Sequence, residues 1–168
     1  MVEVVRHVPD ARLIMSGRRD DAAYERQLRK LVDELHLGNH VEFHFDISEQ
    51  EKRDLIQASR VLVVSSAVEG FGIVVLEANA RGVPVVASSG VPEGAVKQDG
   101  NGLRYEFGDI AAMSKALVEV LTDDRLHAEL SANARAFATQ FSWQKIGSRY
   151  EQVVQRAATH GVSTGLNP

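Results

Sequence analysis

The chain contains no cysteine. That removes disulfides, thiolate metal sites and cysteine nucleophiles, and it fits a reducing compartment. Long apolar runs are missing as well. Nothing approaches the ~18 residues that a membrane-spanning helix needs, and the opening "MVEVVRHVPDARL" lacks the apolar stretch of a secretory signal. The expectation is a soluble, cytoplasmic protein. Nor is there an excess of positive charge: Lys+Arg number 19 against 23 Asp+Glu, for a net charge of −4. With no basic run, the chain is not expected to bind nucleic acid, because phosphate neutralisation supplies most of that affinity. What is present is ordinary for a globular domain: 168 residues, 44% hydrophobic and 25% charged. A chain of this size buries roughly 70% of its unfolded surface and needs no covalent staple.

Short apolar runs alternate with helical patterns. "ARLIMSG" (Ala11–Gly17) reads as a strand stopped by glycine. Apolar residues at helical spacing predict a helix over Asp20–His36, with "LG" at Leu37–Gly38 as its stop. "HVEFHFDI" (His40–Ile47) alternates strictly and predicts a strand near a sheet edge with one wet face. Ser48 and Glu51 form a capping box for a helix over Ser48–Ser59. "RVLVVSS" (Arg60–Ser66) and "VPVVAS" (Val83–Ser88) lack alternation, which predicts central parallel strands buried on both faces. A helix including Val74–Ala80 separates them. Beyond lie a short strand near Leu103–Tyr105, a helix over Ile110–Leu121 capped by Asp109 or the residue before it, and another over Asp123–Gln140. The last helix is amphipathic over Phe141–Ala158 with Ser142 as N-cap, and Phe141, Trp143 and Tyr150 are expected to pack as its apolar stripe. Residues 1–158 make one domain; the polar tail Thr159–Pro168 is expected to be disordered.

Such alternation predicts an α/β fold, a Rossmann-like parallel sheet flanked by helices. Ligands of these sheets sit beyond the carboxyl ends of the strands, and the segment Ser65–Gly72 falls at such an end. It continues as "EGFGIVVLEANARGVPVVAS" (Glu69–Ser88). Gly70 and Gly72 strip side chains from a strand-to-helix corner, and a glycine-opened helix start presents unpaired N–H groups and partial positive charge, suited to phosphate. Glu69 accepts from neutral hydroxyls, and Glu77, about one and a half turns along the helix, is placed to hold a vicinal diol such as a ribose. Anion-binding amides between two carboxylates fit a nucleotide sugar. A Gly-rich corner with a glutamate that merely complements the helix dipole is the bland alternative. His36, His40 and His44 recur every fourth position, but a glycine and a strand start separate them, so no metal site is expected.

The stretch Glu69-GFGIVVL-Glu77, followed by "ANARGVPVVAS", closely resembles the signature of retaining glycosyltransferases of the GT-B (twin Rossmann-like) type, family 4 or group 1, which includes glycogen and sucrose synthases. "PDARLIMSG", "VEFHFDISEQEKRDLIQASRVLVVSS", "GVPEGAVKQDGNGLRYEFGD" and "FSW" extend the resemblance in order from Val8 to Ala158. The resemblance implies the C-terminal, donor-binding half of such an enzyme. It implies that Glu69 and Glu77 carry the catalytic site, Glu77 on the ribose and Glu69 on the transferred sugar. The amides of Gly70, Phe71, Gly72 and Ile73 would lie at the sugar and diphosphate. His44, Phe45 and Asp46 would lie near the base, with Arg18 a weaker candidate there, and Glu93 would support its loop.

It further implies a UDP-, GDP- or ADP-linked hexose as donor substrate, transfer with retention, and no cofactor or metal. Ser65-Ser66 replaces the family's usual Pro-Ser, and the charged "GRRDD" replaces a glycine-rich turn. The family's first strand, with its phosphate-binding Arg and Lys, and the acceptor-binding lobe have no counterpart here. The chain is therefore expected to be truncated and inactive alone, with strands two and four left unpaired on one side. It would need an acceptor-binding N-terminal lobe, from the same parent enzyme or a partner chain, and would meet a membrane only through that lobe. A sugar-nucleotide epimerase and a non-catalytic donor-binding module are the competing readings.

Overall fold

A computed structural model describes residues 1–159, so the expectation for the tail falls, but for Thr159, outside the described residues. In chain order the elements are α1 (Val2–His7), β1 (Leu13–Gly17), α2 (Ala22–Glu34), β2 (Val41–Phe45), α3 (Glu49–Ala58), β3 (Leu62–Val64), α4 (Ile73–Ala80), β4 (Val85–Ser88), β5 (Gly102–Tyr105), α5 (Ile110–Thr122), α6 (Asp124–Ala138), a 3₁₀ turn (Thr139–Phe141) and α7 (Trp143–Thr159). All strand pairings are parallel. β1 pairs with β2, and β3, β4 and β5 pair in that order. Among the described residues the two sheets share no ladder, so β1 and β3 are each paired on one side only, as expected from the resemblance.

β4 organises the larger sheet. Its four residues are all buried, and the two-residue strand period sends alternate side chains to opposite faces. Val85 and Ala87 enter one core with Ile56 of α3, Val64 of β3 and Val75 and Ala78 of α4. Val86 enters the other with Val4 of α1, Leu103 of β5, Ala116, Leu117 and Val120 of α5 and Leu130 of α6. The result is helix, sheet, helix in three layers, which is why an unalternating apolar run belongs there.

Three expectations are corrected. β3 is not a central strand buried on both faces: it pairs with β4 alone, and Leu62 and Val63 are half-buried. The helix α2 stops at Glu34, and the left-handed residue that ends it is His36, φ 54°, not Gly38. The aromatic stripe of the last helix does not pack. Trp143 is 89% and Tyr150 71% exposed, while Phe141 turns inward onto Phe71 and Phe137, with ring centroids at 5.5 and 5.1 Å.

Candidate functional site

The carboxyl ends of β2, β3 and β4 carry the candidate residues. After β3 the chain runs through Ser65–Glu69 and turns into α4 at Gly72, whose φ of 79° and ψ of 66° lie in the left-handed region that glycine enters without strain. This turn leaves α4 without a capping side chain. By contrast α2, α3, α5 and α6 are capped by Asp21, Ser48, Asp109 and Asp123. The Val75 N–H turns back to the Gly72 carbonyl at 2.9 Å, and the N–H groups of Ile73 and Val74 have no acceptor among the described residues, the local geometry that favours an anion. Exposed Gly70 and Ile73 flank the turn, and the Phe71 ring anchors it against Phe141.

The preceding loop is held from beneath. Ser88 Oγ donates to the Ser66 carbonyl at 2.6 Å, and the Glu69 N–H donates to the Gly90 carbonyl at 3.0 Å. A Cβ on Gly90 would meet the Ser66 and Ala67 carbonyl oxygens at 2.2 and 2.4 Å, so only glycine admits the loop at this distance. Glu69 is half-buried, and its Oε1 accepts from the Gly70 N–H at 3.1 Å.

Glu77 lies on the half-exposed side of α4, while Val75 and Ala78 face the core. Its side chain is 28% exposed, neither sealed in the core nor free in solvent. Lys52 Nζ of α3 donates to Glu77 Oε1 at 3.0 Å and pairs with Glu49 Oε2 at 2.9 Å. These two contacts, with the Glu49 hydrogen bond the larger influence, hold the Lys52 ammonium above the ordinary lysine value. The same hydrogen bond from Lys52 keeps Glu49 below the usual carboxylate value. Sequence reasoning missed Lys52, Ser88 and Gly90. For Lys52 the only local signal was a lysine one turn past the Ser48 cap.

His44, Phe45 and Asp46 lie at the carboxyl end of β2, in the other sheet. Asp46, φ 52°, follows β2. Its N–H donates to the Gly17 carbonyl at 2.9 Å, and its Oδ1 accepts from the Arg19 N–H at 3.2 Å. The Arg19 guanidinium sits 5.4 Å from the centre of the Phe45 ring. His44 Nε2 lies 3.4 Å from Glu42 Oε2. The loop after Asp46 leads into α3, whose Lys52 reaches Glu77. Arg18 is exposed. Glu93 is exposed and makes no hydrogen bond or ion pair among the described residues, so its carboxylate does not brace its loop. That work falls to Asn101, which is 2% exposed. Its Oδ1 accepts from the Lys97 N–H and its Nδ2 donates to the Ala95 carbonyl, both at 2.8 Å.

Two hollows lie away from the corner. A groove of about 630 Å³ runs between α1 and α5, and a cleft of about 310 Å³ opens near the amino ends of β3 and β4. Neither is lined by Glu69 or Glu77. In parallel sheets ligands gather at the carboxyl ends, so the open corner, not the larger hollow, is the candidate site.

The parallel, helix-flanked sheets are those of a Rossmann-like lobe of a GT-B glycosyltransferase. The chain belongs to the family described as "Glycosyl transferases group 1", which matches residues 1–137. It is 32% identical over 165 residues to the GDP-mannose-dependent monoacylated alpha-(1-6)-phosphatidylinositol monomannoside mannosyltransferase of Corynebacterium glutamicum, covering 92% of this chain and 42% of that protein. Among solved structures, sucrose-phosphate synthase from Thermosynechococcus elongatus superposes with a TM-score of 0.80 at 30% identity, covering 95% of this chain and 41% of the other. Anabaena Alr3699/HepE in complex with UDP-glucose shares the fold, with a TM-score of 0.78 at 22% identity over 92% of this chain and 44% of that one. The chain thus spans about two fifths of the length of these relatives. No helix among the described residues is long and apolar enough to cross a membrane.

Proposed function

We propose that this chain is the nucleotide-sugar-binding half of a retaining hexosyltransferase. The observation that carries this reading is the uncapped start of α4, set between two partly exposed carboxylates at the carboxyl ends of parallel strands. The free amides take the donor's diphosphate, Glu77 takes the ribose hydroxyls, and Glu69 takes hydroxyls of the sugar to be transferred. Asp46 and the Phe45 edge border the base. Kinship with a GDP-mannose-dependent enzyme and with a protein crystallised with UDP-glucose supports a nucleotide-linked hexose as donor.

In this reading the protein supplies positioning and electrostatic stabilisation. The diphosphate leaves against α4 as negative charge develops on it, and helix-start amides are already aimed at that charge. No carboxylate base is needed, since the departing phosphate assists the incoming hydroxyl on the same face. Transfer then requires an acceptor-binding lobe, and the chain alone binds donor without turnover.

Calorimetric titration of the chain with UDP-, GDP- and ADP-linked hexoses tests the reading. Saturable binding of at least one donor is expected, weakened by Glu77→Ala by the roughly 0.5–3 kcal/mol of lost hydrogen bonds. Affinity unchanged in Glu77→Ala would sink the proposed role of that carboxylate.

A further inference from the structure

Lys52 is the only side chain that reaches Glu77 from another element among the described residues. It spans from α3 to α4, 25 residues apart in sequence. Of its three N–H groups, one serves Glu49 and one serves Glu77 Oε1. Glu77 Oε2 makes no hydrogen bond among the described residues. Lys52 and Glu77 are 30% and 28% exposed, so the pair is partly shielded yet open to a ligand on one side.

We infer that Lys52 is a positioning residue for donor recognition, and that it makes the Glu77 carboxylate selective for the ribose diol. The inference rests on the function proposed above. Two physical effects support it. First, a free glutamate on a helix surface samples several rotamers, whereas the ammonium fixes one oxygen and leaves the other to accept from a hydroxyl. The remaining Lys52 N–H can then donate to the oxygen of the neighbouring hydroxyl. A vicinal diol, each of whose groups both donates and accepts, matches this carboxylate–ammonium couple better than a bare carboxylate does. Second, a donor brings a diphosphate close to an acidic site. A carboxylate beside phosphates is repulsive, and a cation on its other flank offsets that repulsion.

A purely structural strut between α3 and α4 would satisfy the same distances. It predicts a loss of stability on removal of Lys52, but no change in how the site ranks ligands. The two roles separate in the ratio of affinities for a ribonucleoside diphosphate and its 2′-deoxy counterpart.

The experiment titrates the full chain, Lys52→Met, Lys52→Arg and Glu77→Gln with UDP, GDP and ADP and with the matching 2′-deoxy nucleoside diphosphates, alongside thermal melts. The unaltered chain is expected to favour the ribose form by about tenfold, the equivalent of ~1.4 kcal/mol. Lys52→Met is expected to reduce that preference to within about twofold, and Lys52→Arg to retain part of it. Should Lys52→Met fold poorly, Lys52→Arg and Lys52→Gln carry the same comparison. A preference that responds to Glu77→Gln but survives Lys52→Met overturns this inference alone. Absence of any nucleotide binding by the unaltered chain, or indifference to Glu77→Gln, overturns the proposed function and this inference with it.

Discussion

Asn79 sits on α4 with 0% exposure, and neither its amide nitrogen nor its amide oxygen finds a partner among the described residues. A buried polar group without a hydrogen bond costs about 1–3 kcal/mol, and replacing it by an apolar group of the same shape removes that cost. Asn79→Leu is therefore expected to stabilise the chain by an amount of that order, read as a raised melting temperature in thermal denaturation. An unchanged or lowered melting temperature would mean that the amide is satisfied in solution. Gly90 makes the opposite case. Its missing side chain lets backbone carbonyls of the Glu69 loop sit where a Cβ would be, and backbone yields less readily than a flexible side-chain tip. Gly90→Ala is expected to destabilise by about 1–3 kcal/mol and to weaken donor binding, since the Glu69 N–H is held by the Gly90 carbonyl. Equilibrium denaturation and donor titration of this one variant check both effects.

At the scale of elements, local chemistry was legible and partner choice was not. The Ser48–Glu51 capping box forms in both directions: the Glu51 N–H donates to Ser48 Oγ at 3.2 Å, and Glu51 Oε2 accepts from the Ser48 N–H at 2.7 Å. Of the two cap positions the sequence allowed for α5, Asp109 is the one used. Such signals are written within four residues, so one sequence suffices to read them. The unalternating run of β3 was equally visible, but apolar character does not report how many strands lie alongside; β3 is an edge whose half-buried Leu62 leans on the first core and Val63 on the second. The end of α2 was misplaced because His36 accepts a left-handed turn that Gly38 would adopt at less cost. The glycine turn into α4 between Glu69 and Glu77 was legible in the sequence, whereas Lys52 depends on how α3 and α4 lie against each other. Ser48→Ala is expected to cost about 1 kcal/mol of stability at neutral pH. The contribution of the box should also depend on acid. Hydrogen bonds from the Ser48 side chain and N–H hold Glu51 below its ordinary value of 4.5. A group with a depressed folded-state value stabilises fully above its unfolded value and loses that contribution as pH falls through the folded one. Denaturation of Glu51→Ala beside the unaltered chain should show a gap at pH 7 that narrows as the pH falls below 4.5; a gap constant with pH would deny the capping role.

Across the whole molecule, the two parallel sheets differ in how much holds them. β4 has a strand on each side and core on both faces, with every residue buried. Among the described residues β1 and β2 pair only with each other, and of their ten residues only Val41 is buried. The Gly17–Asp46 and Arg19–Asp46 hydrogen bonds tie these two strand ends together, not to the larger sheet. Local stability follows buried apolar contact and shielding of backbone hydrogen bonds. The β1–α2–β2 segment should accordingly open in a separate step, at lower free energy than β4. In hydrogen exchange under native conditions, the amides of Val85–Ser88 should exchange only through global unfolding, and those of Leu13–Gly17 and Val41–Phe45 should exchange sooner and track each other. The opening segment carries Phe45 and Asp46, whereas Glu69 and Glu77 belong to the part built on β4. A nucleotide that touches both should slow exchange in β1 and β2 far more than in β4, because ligand binding stabilises most what was open before it bound. Equal exchange in the two sheets would show that they unfold as one body. Protection confined to α4 would instead place the base away from the end of β2.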